Sequence, residues 1–434
     1  MPVAMMPEET TVECNLAIIG CGLSGMAAAL FAAGKGFSTV QTGVSGGMIF
    51  ASGLLDLMCV HPVEKGSRWM DPWAAIDALS DDIPEHPYAR LKKETIKKAL
   101  EKVVYFLRDN GLPYLKCGEN NSEVMTPLGT SKHTYYVPQT MWEGVRAFKE
   151  KRPCLVVGFR ELNDFSAAQI AGALGERWPG LRWQDVSLQG SATTAGLVSG
   201  DIMARDMELA GNLEKVVTEI RPHIRDAETV GIPAILGMER SHEIVERLSQ
   251  ELGARVFEIP TMPLSVPGLR LNEAFTRGLS DKGVKLFFPN RIISWEEADD
   301  GNFLLGIGQG APAKWIRAEG VILATGRFWA RGLRADRDRI REALFDLPVH
   351  QPEERAEWHH EDFLDLRGHP VNRAGLEVDD LFRPLDRTGG PASEKLFAAG
   401  SILAHQDWMR MKCGSGLAVS SAYAAVTAFS KIRG

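Results

Sequence analysis

Asn15-Leu16-Ala17-Ile18-Ile19-Gly20-Cys21-Gly22-Leu23-Ser24-Gly25 is the stretch that decides the fold of this chain. Leu16 to Ile19 is a short apolar run with β-branched residues, the pattern of a strand buried on both faces. Gly20, Gly22 and Gly25 follow at the spacing of the dinucleotide-binding fingerprint, and Met26 to Ala33 is a run of strong helix formers. The glycines differ in what they permit. Gly20 allows the tight turn, Gly22 lets the backbone approach a phosphate, and Gly25 lets the helix lie close on the strand. Leu23 and Ser24 complete the loop, whose helix N-terminus offers unpaired N–H groups and a partial positive charge to an anion.

An adenosine ribose in such a site is usually held by Asp or Glu about 20 residues further on. Here the second strand reads Phe37-Ser38-Thr39-Val40-Gln41-Thr42, and no acid ends it. Gln41 and Thr42 remain able to bond a hydroxyl. A ligand with one phosphate and no adenosine, such as FMN, needs no acid there; FMN is therefore the first expectation and FAD the second.

Two glycine-rich segments extend the site outward. Thr42-Gly43-Val44-Ser45-Gly46-Gly47 and Ala51-Ser52-Gly53 resemble a flavin-contact region of fumarate-reductase-like flavoproteins, with a flexible surface loop as the alternative. Toward the C-terminus, Val321-Ile322-Leu323-Ala324-Thr325-Gly326 resembles the strand that returns to the cofactor in two-dinucleotide-binding-domain flavoproteins. Lys395-Leu396-Phe397-Ala398-Ala399-Gly400-Ser401 resembles their last strand. Cys413-Gly414-Ser415-Gly416-Leu417-Ala418 then opens a small-residue helix reaching Ala425, whose positive end in that family faces the flavin pyrimidine.

At 434 residues the chain is long enough for two or three domains. A net charge of -7 argues against a nucleic-acid partner, and no apolar run approaches the roughly 20 residues that span a bilayer. Met1 to Glu13 carries Glu8 and Glu9 without a basic cluster, which reads as a short disordered lead rather than a secretory signal. The six cysteines form no Cys-x-x-Cys pair, so buried free thiols in a cytoplasmic chain are expected, and no metal site is. Glu94 to Arg108 is an amphipathic helix, apolar at Ile96, Leu100, Val103, Val104 and Leu107. Pro153 to Phe159 and Ile232 to Gly237 read as strands, with Asn163 to Leu174 as a helix between them. The expected fold is α/β: a Rossmann-like FAD/NAD(P)-binding flavoprotein domain with an inserted α/β middle domain. Its boundaries are a lead over 1–13, a discontinuous flavin domain over 14–61 and 271–434, and an insert over 62–270.

The whole series of segments resembles the B-subunit family of anaerobic glycerol-3-phosphate dehydrogenases. Besides the glycine turn, the resemblance rests on Ala51-Ser52-Gly53-Leu54-Leu55-Asp56-Leu57, Thr126-Pro127-Leu128-Gly129-Thr130 and Val156-Val157-Gly158 with Asp164-Phe165. Leu264-Ser265-Val266-Pro267-Gly268-Leu269-Arg270-Leu271, Ala399-Gly400-Ser401-Ile402-Leu403 and Cys413-Gly414-Ser415-Gly416 complete it. His405-Gln406 and Trp408-Met409-Arg410-Met411-Lys412 depart from the small, neutral residues of that family. The resemblance implies a peripheral membrane complex that oxidises sn-glycerol 3-phosphate and passes electrons to menaquinone. Its partners would be a catalytic flavoprotein A subunit and an iron–sulfur C subunit that anchors the assembly, with FMN assigned to the B subunit. Oxidation of the carbinol needs a base near working pH, which directs attention to His61, His133 and above all His405. Arg270 and Arg327 are candidates for the substrate phosphate, and each reads equally as an ordinary ion-pair residue. A self-sufficient FAD oxidoreductase and a non-catalytic relay or assembly subunit stay open beside this reading; a nicotinamide-dependent dehydrogenase ranks last.

Overall fold

Leu16, Ile18 and Ala17 are buried because their strand lies in the middle of a sheet covered on both faces. The computed structural model describes residues 11–44, 46–188 and 198–433; Ser45 and residues 1–10 of the expected lead lie outside them. Thr11 to Glu13, expected in the lead, instead begin strand β1 (Thr11–Ile19), where Thr11 pairs with Trp315. The glycine turn leads to helix α1 (Leu23–Ala33) and then to strand β2 (Thr39–Thr42), which lies parallel to β1 with Leu16 opposite Thr39.

The larger sheet is completed from the second half of the chain. Lys285–Phe287 pairs parallel with β2, and Pro312–Leu323 pairs parallel with β1 so that Ile19 faces Leu323. The N-terminal half of that long strand continues antiparallel into Phe303–Gly308 and Arg291–Glu297, while its C-terminal end pairs parallel with Leu396–Ala398. The last helix, Gly414–Ile432, runs beyond the expected Ala425 and packs beside α1, with the Phe31 and Tyr423 rings edge to face at 5.0 Å.

A second sheet holds four parallel strands in the order Arg255–Ile259, Thr229–Pro233, Cys154–Phe159, Leu181–Val186. Its helices include Ala167–Leu174, shorter than expected because Ser166 caps it by accepting from the Gln169 N–H. The strand expected over Ile232 to Gly237 ends at Pro233, since the chain then turns and the Leu236 N–H goes to Glu258. The two cores do not follow the 62–270 division: Val63, Ile76, Tyr88 and Tyr136 join the larger one, as does the amphipathic helix Lys93–Asp109 with all five expected apolar positions buried. The Val266–Asp281 helix bridges the cores, Val266 lying in the smaller and Leu271 in the larger. Five cysteines are buried and free; Cys117 is exposed. No helix among the described residues is long and apolar enough to cross a membrane.

Candidate flavin site

The C-terminal ends of the parallel strands converge on the glycine turn, the place where open α/β sheets bind ligands. The Gly20 N–H donates to the Thr42 carbonyl at 2.8 Å, and the Gln41 Nε2 donates to the Gly20 carbonyl at 2.8 Å. Gln41 Nε2 therefore braces the turn, while its buried Oε1 is left without a partner. Gly20 has φ +132°, and a Cβ there would lie 2.1 Å from the Ala324 carbonyl oxygen. A Cβ on Gly25 would lie 2.0 Å from the Gly20 oxygen, so the helix can sit this close only with glycine. Gly22 differs: its φ of -79° suits any residue, and a Cβ would meet nothing within 4 Å. Its surroundings are open space.

Several polar groups of the neighbouring strand ends and helix start lack partners. The buried Oγ of Ser24, Oγ1 of Thr42 and Oγ1 of Thr325 have no hydrogen-bond partner. Unpaired buried hydroxyls cost free energy, and ligand atoms are one means of satisfying them. Gly400, at φ +82°, brings the last strand against α1: a Cβ would lie 2.6 Å from the Ser24 Cβ. Thr325 and Gly326 are half-buried beside the turn, Ala324 donating to the Ile19 carbonyl at 2.9 Å. The half-exposed Gly22 backbone at the N-terminus of α1 is a cradle suited to phosphate oxygens. Leu23 is half-buried at the cradle's rim, whereas Leu417 belongs to the core.

The loop after β2 lies flat on the turn. A Cβ on Gly43 would stand 2.5 Å from the Cys21 Sγ, and one on Gly46 would stand 2.0 Å from the Cys21 carbonyl oxygen. Gly47 is exposed with open space around it. The Ile49 carbonyl accepts from the Ser265 N–H at 3.1 Å, and Ser265 Oγ donates to the Ala51 carbonyl. This fastens the loop to the Val266–Asp281 helix. Ser52 is half-buried in this stretch. Gly53 is committed to packing: its carbonyl accepts from Tyr114 Oη at 2.7 Å, and a Cβ would lie 2.7 Å from Pro267.

The start of the last helix docks on the segment before it. Gly414 and Ser415 are half-buried, and the Gly416 N–H donates to the Asp56 carbonyl at 2.7 Å. A Cβ on Gly416 would meet Tyr88 Oη at 2.4 Å. That tyrosine donates to the Leu57 carbonyl at 2.8 Å. Beside this junction sits a charge cluster that sequence reasoning missed. Lys132 Nζ pairs with Asp56 Oδ2 at 2.8 Å, and the buried Asp56 Oδ1 has no partner. Burial and then the neighbouring Lys132 charge pull the Lys412 ammonium below its ordinary value. Burial pushes the nearby Cys59 and Cys413 thiols up, so both stay protonated at neutral pH. The signal available in sequence was Asp56 itself, directly after the Leu54-Leu55 pair; Lys132 and Lys412 come from distant segments.

Both candidate arginines are spoken for. Arg270 is buried and forks onto Glu258, with Nη1 to Oε2 at 2.6 Å and Nη2 to Oε1 at 2.8 Å, while Nε donates to the Gly237 carbonyl. Arg327 donates only to carbonyls: Nε to Ser401 at 2.7 Å, Nη2 to Gln406 at 2.7 Å and Leu403 at 3.2 Å, and Nη1 to Asn372. Burial draws its pKa down to about 10. Both guanidinium groups spend donors on the protein itself: one locks two cores together and the other clamps the loop after Gly400. His405, in that loop with φ +61°, binds Glu377 Oε1 through Nε2 at 2.9 Å and lies 4.1 Å, ring to ring, from His350. His61 is likewise engaged, its Nε2 2.8 Å from Asp82. His133 is half-buried on the strand Ser131–Thr134, and burial lowers its pKa.

Residues 15–417 match the FAD binding domain family. The chain is 30% identical over 430 residues to the B subunit of anaerobic glycerol-3-phosphate dehydrogenase from Vibrio vulnificus (strain YJ016), covering 95% of each. It is also 30% identical over 435 residues to the probable B subunit of the same enzyme from Halobacterium salinarum (strain ATCC 29341 / DSM 671 / R1), covering 96% of this chain and 98% of that protein. Among solved structures it is similar to 3-ketosteroid delta1-dehydrogenase from Sterolibacterium denitrificans, at 12% identity and a TM-score of 0.45, covering 97% of this chain and 100% of that one. The chain belongs to the FAD binding domain family, within its branch of anaerobic glycerol-3-phosphate dehydrogenase B subunits.

Proposed function

We propose that the chain is the flavin-bearing B subunit of a respiratory complex that oxidises sn-glycerol 3-phosphate to dihydroxyacetone phosphate, electrons leaving to menaquinone through an iron–sulfur partner. The observation that carries this reading is the open space over Gly22 at the N-terminus of α1, with the unpaired Ser24 hydroxyl in the first turn of the same helix. A flavin held there supplies the acceptor for a hydride from the carbinol carbon. FMN is proposed because no acid ends β2, whose last residues are Gln41 and Thr42, and FAD, to which the FAD binding domain match points, is the alternative.

Within this reading the phosphate falls to Lys132 and Lys412, not to Arg270 or Arg327. Two ammonium groups at one junction favour a dianion, and the unpaired Asp56 Oδ1 is an acceptor for the hydroxyl of the same substrate. Attachment at the cytoplasmic membrane and assembly with the A and C subunits belong to the same proposal.

The test is the absorbance spectrum of the purified chain, with the released cofactor identified by mass and challenged with sn-glycerol 3-phosphate. FMN that bleaches supports the proposal. FMN that stays oxidised makes the chain a relay fed by its partner, FAD favours a self-sufficient oxidoreductase, and no flavin leaves an assembly role. If the chain turns over, Lys412→Ala should raise KM for glycerol 3-phosphate by at least about tenfold, the worth of one charge-assisted bond of roughly 1.5–3 kcal/mol. An unchanged KM rejects the lysine assignment.

A further inference from the structure

We propose that His350, Glu377 and His405 form a binding site for one divalent transition-metal ion of the zinc class. Each offers one ligand atom, and the three atoms lie within 4.8 Å of one another. His405 Nε2 is 2.9 Å from Glu377 Oε1, and His350 Nδ1 is 3.7 Å from the same oxygen. Ligands about 2.0–2.1 Å from a tetrahedral zinc ion stand about 3.3 Å apart, between those two separations. Both histidine–carboxylate separations are close to that spacing, and the two imidazole donors lie no more than 4.8 Å apart.

The backbone beneath is built to hold them. His350 and Gly375 exchange both main-chain hydrogen bonds, at 2.8 and 3.1 Å. The Leu376 N–H donates to the Ile402 carbonyl and the Ala404 N–H to the Leu376 carbonyl, tying the Glu377 segment to the loop that carries His405. The His405 N–H donates to the Arg373 carbonyl at 2.9 Å. Arg327 clamps the carbonyls of Ser401, Leu403 and Gln406 on either side of His405. His405 is thus presented from a left-handed backbone, uncommon among non-glycine residues, by a loop tied down on both sides.

Two imidazoles and one carboxylate are a donor set for zinc, cobalt or nickel rather than for calcium or magnesium, which prefer all-oxygen shells. The side chains of His350 and Glu377 are 42% and 48% exposed, so an ion can reach them and water can fill the remaining positions. Cysteine spacing gave no hint of such a site, because no cysteine takes part.

The tag-free full chain, stripped with chelator, would be titrated with zinc sulfate by calorimetry, with thermal unfolding measured in parallel. One saturable equivalent and a raised Tm are expected. His405→Gly removes a ligand at a backbone conformation glycine adopts freely, and Glu377→Gln removes the charge while keeping the shape. Each should weaken zinc by at least about tenfold, since even outer-sphere partners of a metal are worth about 10–100-fold. His359→Ala, outside the cluster, should leave affinity unchanged. Absence of saturable binding, or binding untouched by Glu377→Gln and His405→Gly, overturns the site.

Discussion

Gly22 and Gly25 sit three residues apart and respond in opposite ways to substitution. A Cβ at position 22 enters open space, whereas one at position 25 lies 2.0 Å from the Gly20 oxygen. Gly22→Val should therefore cost no more than about 1 kcal/mol, the preference for glycine over valine at an N-cap, and empty the phosphate cradle, read as loss of flavin from the purified protein. A variant that folds and keeps its flavin rejects the cradle. Gly25→Ala should instead destabilise the fold by about 1–3 kcal/mol, the range for overpacking, measured by denaturant unfolding. Both glycines were legible in the sequence because their spacing reflects backbone geometry local to one turn. Arg270 and Arg327 were not. A guanidinium following a Pro-Gly or Ala-Thr-Gly turn reads alike whether it will meet a phosphate, Glu258 or four carbonyls, since its partners lie elsewhere in the chain.

His86 shows what burial does to a short element. It caps the turn Pro87–Arg90 by accepting from the Tyr88 N–H through Nδ1 at 3.1 Å. Full burial, and then the charges of His405, His61 and Arg373, pull its pKa down to about 3. An unfolded histidine titrates near 6.5, so below that pH the unfolded chain binds a proton that the folded chain refuses. Stability should fall as pH drops from about 6.5 toward 3, by up to about 1.4 kcal/mol per pH unit from this residue. His86→Asn keeps a capping oxygen without the titration. Urea midpoints at neutral and mildly acidic pH should decline less in the variant than in the parent, and equal declines would remove His86 from the account. At this scale the helix Lys93–Asp109 was plain from its apolar stripe, because helical periodicity is written locally. The end of the strand at Pro233 was not, because a buried Glu258 on the neighbouring strand captures the Leu236 N–H and stops the run.

Across the molecule, the two sheets are joined where Arg270 of the bridging helix forks onto Glu258 of the smaller sheet. Both side chains are almost fully buried, at 4% and 0% exposed. Removing one partner leaves a bare charge in the interior, so Arg270→Met should cost about 3–5 kcal/mol in chemical unfolding. The double replacement Arg270→Met with Glu258→Leu should recover most of that loss, which a cycle of the single and double variants would measure. A double variant as unstable as the sum of the singles would mean the pair is not coupled.

The βαβ beginning, the returning strands, the small-residue last helix and the family were legible in the order of residues, because these depend on local periodicity and on glycines that only one geometry tolerates. Which polar residues are spent on holding the fold, and which are left over, followed from contacts between distant segments. Arg270 and Arg327 are consumed by a carboxylate and by carbonyls, while Ser24, Thr42, Thr325, Asp56 and the Oε1 of Gln41 retain unpaired oxygens. Tertiary folding also brought Lys132 to Asp56 and His350 to His405. Hydrogen bonding and Coulomb attraction act over a few ångströms of space, and separation along the chain does not measure that distance.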